Sequence, residues 1–211
     1  MIRVLVVTPH PDDEAIGCGG ALCVHAEAGD VVRIVHLTSG EQGGHGLPPA
    51  ETARRREAEA AEAARLLGAQ APEFWRCPDG ALRVTRALVG RLRDLIVNWR
   101  PAMVYVTHDR EMHPDHRAAA RLVRRVLCDL PSGVPTPAVR LFEVWTPLQT
   151  MDEIVDISAH IDTKLAAIRA YKHQCSVMRF DEAARGLSRY RGEMHSWPGG
   201  DYAEVFVSLR A

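Results

Sequence analysis

Lysine is almost missing from this 211-residue chain: it stands only at 164 and 172 and never follows a glycine, which excludes the phosphate-binding loop of nucleoside triphosphatases. Net charge is nearly missing as well. With 26 basic residues against 27 acidic ones, no global field draws the chain to nucleic acid or to an anionic membrane. Any partner must be argued from a local site. Among the five cysteines, at 18, 23, 77, 128 and 175, there is no Cys-x-x-Cys pair, and an odd count fits reduced, mostly buried thiols better than a disulfide framework. No apolar stretch reaches membrane-spanning length, and the run before Pro9 is too short for a signal-peptide core. The expectation is a soluble, cytoplasmic protein with no membrane insertion and no nucleic-acid partner.

What is present is a sizeable apolar fraction, 46%, enough over this length for one well-buried core, so a single domain over 1–211 is expected. Ile2 to Thr8 is a nearly continuous valine-rich run, the pattern of a strand buried on both faces. Small residues from Gly17 to Ala28 predict a helix packed close to the sheet and ended by Gly29, and Val31 to Leu37 predicts the next strand. That order is a right-handed crossover unit. Helices are predicted over Glu51 to Leu67, Thr85 to Asn98, Arg117 to Leu127 and from the Ser158 cap to about Lys172. Further strands are predicted at Phe74 to Arg76, Met103 to Val106, Leu141 to Trp145, Ile154 to Ile157 and Val205 to Val207. Ser176 to Asp201, polar and dotted with glycine, reads as mostly loop. The fold class is α/β: one Rossmann-like domain with a mostly parallel sheet flanked by helices.

Two segments carry the chemistry. Pro9-His10-Pro11-Asp12-Asp13-Glu14 comes off the first strand, and His113-Pro114-Asp115-His116 follows the apolar run at Met103. Both are strand-to-helix junctions, which in an open parallel sheet lie outside the strands' carboxyl ends, where ligands collect. They are therefore expected to meet. His10, Asp13 and His116 make a two-histidine, one-carboxylate set with a fourth position left for water, the arrangement of a catalytic zinc site. The same set also suits non-haem ferrous iron, but neighbours able to assist hydrolysis argue for the zinc reading. Asp12 is the candidate general base and His113 the candidate donor to an oxyanion, with Asp115 a partner for one of the histidines. Taken alone, Pro-Asp-Asp-Glu would read equally well as an acidic helix start; the second histidine motif shifts the balance. A nucleotide-binding doubly wound module is the reading from another class, but Gly17-Cys18-Gly19-Gly20 lacks the required glycine spacing.

These motifs resemble the LmbE-like family of zinc-dependent de-N-acetylases, which includes the PIG-L type N-acetylglucosaminyl deacetylases. Lesser echoes are Thr38-Ser39-Gly40-Glu41, Arg56-x-x-Glu59, Pro78-Asp79-Gly80, Tyr171-x-x-Gln174 and Tyr202-Ala203-Glu204. The resemblance implies metal ligation by His10, Asp13 and His116, base catalysis by Asp12 and carbonyl polarisation by His113. It also implies substrate contacts from Arg56 and Asp79. The activity it implies is removal of an N-acetyl group from an amino sugar or glycoconjugate, with an amidase acting on a thiol-sugar conjugate as the near alternative. Relatives of this kind are often homo-oligomers. His45 and His195, in glycine-bearing stretches, are candidates to line the pocket, whereas His25 and His36 read as packed side chains and His108, His160 and His173 as surface or loop residues.

Overall fold

The computed structural model describes residues 1–195 and 200–209. Five strands run parallel: β1 (Arg3–Thr8), β2 (Val31–His36), β3 (Glu73–Phe74), β4 (Met103–Thr107) and β5 (Ala138–Phe142). β6 (Glu153–Asp156) and β7 (Ala203–Ser208) complete one seven-stranded sheet in the order β3-β2-β1-β4-β5-β7-β6, with β7 antiparallel to both neighbours. The sheet is thus mixed but mostly parallel.

Alternation along β1 divides the core. Val4 and Val6 face α1 (Asp13–Glu27), α2 (Pro49–Leu66) and α5 (Ile161–Ala170), while Leu5 and Val7 face α3 (Arg86–Trp99) and α4 (Pro114–Cys128). All four are fully buried, as the valine-rich pattern requires of a central strand covered on both faces. α1 sits unusually close. A Cβ on Gly17 would lie 2.2 Å from the Phe142 ring and one on Gly20 2.6 Å from Ile157, so the small residues near the start of this helix serve close approach.

Two local expectations are corrected. The strand expected at Leu141 to Trp145 lies earlier, at Ala138–Phe142. Its end is set by Glu143, whose carboxylate turns away to bind Arg191 and the N–H of Leu148. The stretch expected to be loop holds α6 (Lys172–Val177) in part and then α7 (Phe180–His195). On α7 the buried positions among the described residues are Asp181, Ala184, Ser188, Arg191 and Gly192. Their three- and four-residue spacing is helical, but the residues are mostly polar, so hydropathy did not mark the face. The side chain of His195 and residues 196–199 lie outside the described residues.

β1 and β4 are adjacent and parallel, with Val7 opposite Val106. Strand order reverses between them, since β1 leads to β2 on one side while β4 lies on the other. The two histidine motifs therefore emerge side by side at a topological switch point, where doubly wound sheets bind ligands.

Candidate metal centre and active site

His10, His113 and His116 meet beyond these two strand ends. Their ring centroids lie 4.8 Å (His10 and His113), 5.1 Å (His113 and His116) and 5.3 Å (His10 and His116) apart. Asp13 bridges two of them, with Oδ2 3.4 Å from His10 Nδ1 and Oδ1 3.3 Å from His116 Nε2. It also accepts the backbone N–H of His10 at 2.9 Å, which locks the turn. Burial alone would raise the Asp13 carboxyl, but His116 and His10 hold it well below the usual carboxylate range.

The far sides of His10 and His116 are backed by acid. His10 Nε2 lies 3.0 Å from Asp79 Oδ1 and 3.4 Å from Asp115 Oδ2, which favours a proton on Nε2 and leaves Nδ1 facing Asp13. Burial disfavours the His10 cation, yet Asp115, Asp13 and Asp79 together raise the ring well above its ordinary range. This concentration of negative charge suits a cation. His116 is fully buried and neither ring nitrogen has a hydrogen-bond partner, Nδ1 lying 3.8 Å from Glu111 Oε2. A buried imidazole with no hydrogen bond is costly unless something ligates it.

Asp12 lines the same cleft with different partners, for a backbone reason. It adopts φ 117°, a strained conformation for a residue other than glycine, so two consecutive aspartates leave the chain in different directions. Its N–H donates to Glu14 Oε2 at 3.2 Å, and Glu14 in turn accepts the hydroxyl of buried Tyr171. Burial pushes Glu14 up to about 8. The Asp12 carboxylate pairs with Arg56 Nη2 at 2.9 Å, and burial pushes it up to about 6 against the pull of that guanidinium.

His113 caps α4. Its Nδ1 accepts the N–H of Asp115 at 3.2 Å, so the proton of the neutral ring sits on Nε2. Burial, then His10 and His116, lowers its basicity and keeps that ring neutral. The arrangement provides a fixed donor beside the cluster.

Arg56 and Asp79, for which substrate contacts are implied, also have partners within the protein. Both line the cleft, but Arg56 is 4% exposed and its terminal nitrogens are taken by Asp12 and by the carbonyls of Gly40 and Pro11. Asp79 is engaged with His10, and its Oδ2 accepts the N–H of Gln42 at 2.8 Å. Of the remaining histidines, His45 borders the cleft, while His173 donates from Nε2 to the Gly44 carbonyl at 2.8 Å and braces that loop.

Sequence reasoning missed Glu111. It is 1% exposed, faces His116, and accepts the N–H groups of Val144, Trp145 and Thr146 at 2.7, 3.0 and 3.1 Å. The only available signal was an acidic residue two positions before the second motif. The cleft measures about 270 Å³ and is completed by Gln42, Gly43, Gln174, Trp145, Met178 and Phe180.

Comparison with known proteins agrees with this geometry. A diacetylchitobiose deacetylase from Thermococcus kodakarensis is 30% identical, the match covering 96% of this chain and 81% of that one. A conserved protein from Thermus thermophilus superposes with a TM-score of 0.86 at 34% identity, over 100% of this chain and 95% of that one. The 4-carboxy-2-hydroxymuconate hydratase from Pseudomonas putida superposes with a TM-score of 0.89 at 26% identity, over 100% and 97% of the two chains. The family model for the GlcNAc-PI de-N-acetylases matches residues 5–127, a span that carries both histidine motifs and all the residues between them, and the chain belongs to that family, PIG-L.

Proposed function

We propose that the chain is a metal-dependent N-deacetylase that hydrolyses the acetamide of an N-acetylated amino sugar to acetate and a free amine. The observation that carries this reading is the pairing of a buried, partly neutralised Asp12 with a neutral, donor-positioned His113 on either side of the His10, Asp13 and His116 cluster. Those three residues would hold the metal. Orphaned buried nitrogens on His116 and the excess of carboxylates around His10 fit a divalent cation, and two imidazoles with one carboxylate suit zinc, with ferrous iron the other candidate. When bound, the ion supplies Lewis-acid activation of a water and of the amide carbonyl.

The chain's own residues do the rest. Asp12 accepts the proton as water adds to the acetamide carbon, and returns it to the departing amine nitrogen as the C–N bond breaks. His113 donates from Nε2 to the oxygen that gains charge as the tetrahedral centre forms. Arg56 holds Asp12 in position and favours its charged form. The strained φ at Asp12 persists because Glu14, Arg56 and the first turn of α1 all bind that residue.

A hydratase reading is favoured by the similarity to the Pseudomonas putida enzyme, whose substrate carries a carboxy group. The cleft argues against it. Among the described residues its one guanidinium, Arg56, is committed to Asp12 and to backbone carbonyls, which leaves no arginine or lysine head free for a substrate carboxylate. A neutral amino sugar suits this lining better. Incubation of the zinc-loaded protein with N-acetylglucosamine, its glycosides and N,N'-diacetylchitobiose should release acetate and primary amine in equal amounts. Hydration of an unsaturated carboxylate without any acetate release would overturn the reading.

Two expectations concern the supports. Arg56→Gln removes a cation that lowers the Asp12 carboxyl. The base works only when deprotonated, so the acidic limb of the kcat profile should move to higher pH; a limb that stays in place would show that Arg56 does not act through Asp12. Glu111→Gln removes the acid behind His116 and should weaken metal affinity by about 10–100-fold, read by competition with a chelator. Unchanged affinity would assign Glu111 to loop anchoring alone.

A further inference from the structure

Behind the catalytic cleft lies a second chamber of about 230 Å³, between the start of α1, helix α7 and strand β7. Trp145, Met178 and Phe180 line both spaces, so the two adjoin across these side chains. The Trp145 and Phe180 rings meet edge to face with centroids 5.6 Å apart. Trp145 and Met178 are 41% and 43% exposed, a large apolar surface held open to solvent at the mouth of a polar site. It is not a loose flap. Glu111, facing His116, binds the N–H of Trp145, so the aromatic wall is tied to the same residue that backs the metal cluster.

The chamber carries charges, but they cancel in pairs. Lys164 Nζ binds Glu204 at 2.7 Å, and Glu204 also accepts the N–H groups of Gly20 and Ala21. Arg191 makes two bonds to Glu143, at 3.0 and 2.7 Å, and a third to the Leu148 carbonyl. An ionic ligand would have to break one of these buried pairs, which is strongly unfavourable. What remains is the apolar wall, supplied by Ala184, Leu187 and Val205 among others.

We propose that this chamber takes an apolar group, alkyl or aryl, attached to the N-acetylated amino sugar whose acetamide sits in the cleft. The inference rests on the deacetylase reading of that cleft. A second sugar is the weaker occupant of the chamber, since Ala184, Leu187 and Val205 offer its hydroxyls no side-chain partner there. An alkyl chain loses nothing there, and each buried methylene is worth roughly fourfold in affinity.

The test compares methyl and octyl glycosides of N-acetylglucosamine, the octyl compound below its micellar concentration, with N,N'-diacetylchitobiose. Wild type should show kcat/KM for the octyl glycoside about tenfold or more above the methyl one, mainly through KM, and above chitobiose. Ala183→Trp, at an exposed position on α7 that borders the chamber and not the cleft, and Trp145→Ala should each bring the octyl-to-methyl ratio close to one. A wild-type ratio near one, or a ratio that survives both variants, would overturn the proposal. So would a preference for chitobiose that Trp145→Ala removes, which would make the occupant a sugar. Calorimetric binding of the two glycosides separates the two readings. If none of the compounds is deacetylated but the octyl glycoside still binds where the methyl one does not, the chamber stands and the activity assigned to the cleft falls.

Discussion

Replacement of Asp12 by asparagine should lower kcat by about 10²–10⁴-fold, the range for loss of a positioned general base, with metal content intact. The side chain keeps its shape, and the amide can still meet Arg56 Nη2 through its oxygen, now 2.9 Å from the carboxylate. What is lost is the ability to take a proton. Asp12 lines the same cleft as Asp13, but its carboxylate pairs with Arg56 whereas that of Asp13 meets His10 and His116. Its substitution should therefore leave the metal in place. Elemental analysis followed by kcat and KM across pH separates the outcomes: a collapse in kcat at constant metal content and similar KM fits the base assignment. Near-wild-type kcat would assign the base elsewhere.

His116→Ala should remove both the ion and the activity. Its imidazole is fully buried at the start of α4, with Nε2 directed at Asp13 Oδ1 and no hydrogen-bond partner at either nitrogen. His113 lies in the same cluster but is turned to another task. His113 is held by its cap bond to the Asp115 N–H, and His10 is already engaged by Asp13 and Asp79. His113→Ala, by contrast, should keep the metal and lose roughly 10²–10³-fold in kcat, the cost of one oxyanion donor.

Both strand-end motifs could be read from sequence because each follows a continuous apolar run, and a buried parallel strand fixes where its carboxyl end emerges. Adjacency of β1 and β4 then brought His10 and Asp13 to His116 as expected. The partners that Arg56 and Asp79 have within the protein were not legible. That Arg56 pairs with Asp12 depends on the strained turn there, and nothing in the pattern Pro-His-Pro-Asp-Asp-Glu announces a positive φ. Glu111 escaped for a different reason: the N–H groups it binds come from residues 144–146, which only the fold brings back. Helix α7 was hidden by its own chemistry. Its buried face uses Asp181, Ser188 and Arg191 in ion pairs and hydrogen bonds rather than leucines, and periodicity of hydropathy cannot see a polar interior. β7, antiparallel at the far side of the sheet, follows from the return of that unseen helix.

In the proposed mechanism one metal held by His10, Asp13 and His116 makes this cleft an N-deacetylase. The most direct measurement is a zinc titration of chelator-stripped protein, with bound zinc per chain and acetate release from an N-acetylglucosaminide followed on the same samples. Acetate release should rise with bound zinc, level off at about one ion per chain, the capacity of a single catalytic zinc site, and stay at background in His116→Ala. Full acetate release from the metal-free protein, or from His116→Ala at wild-type zinc content, would contradict it.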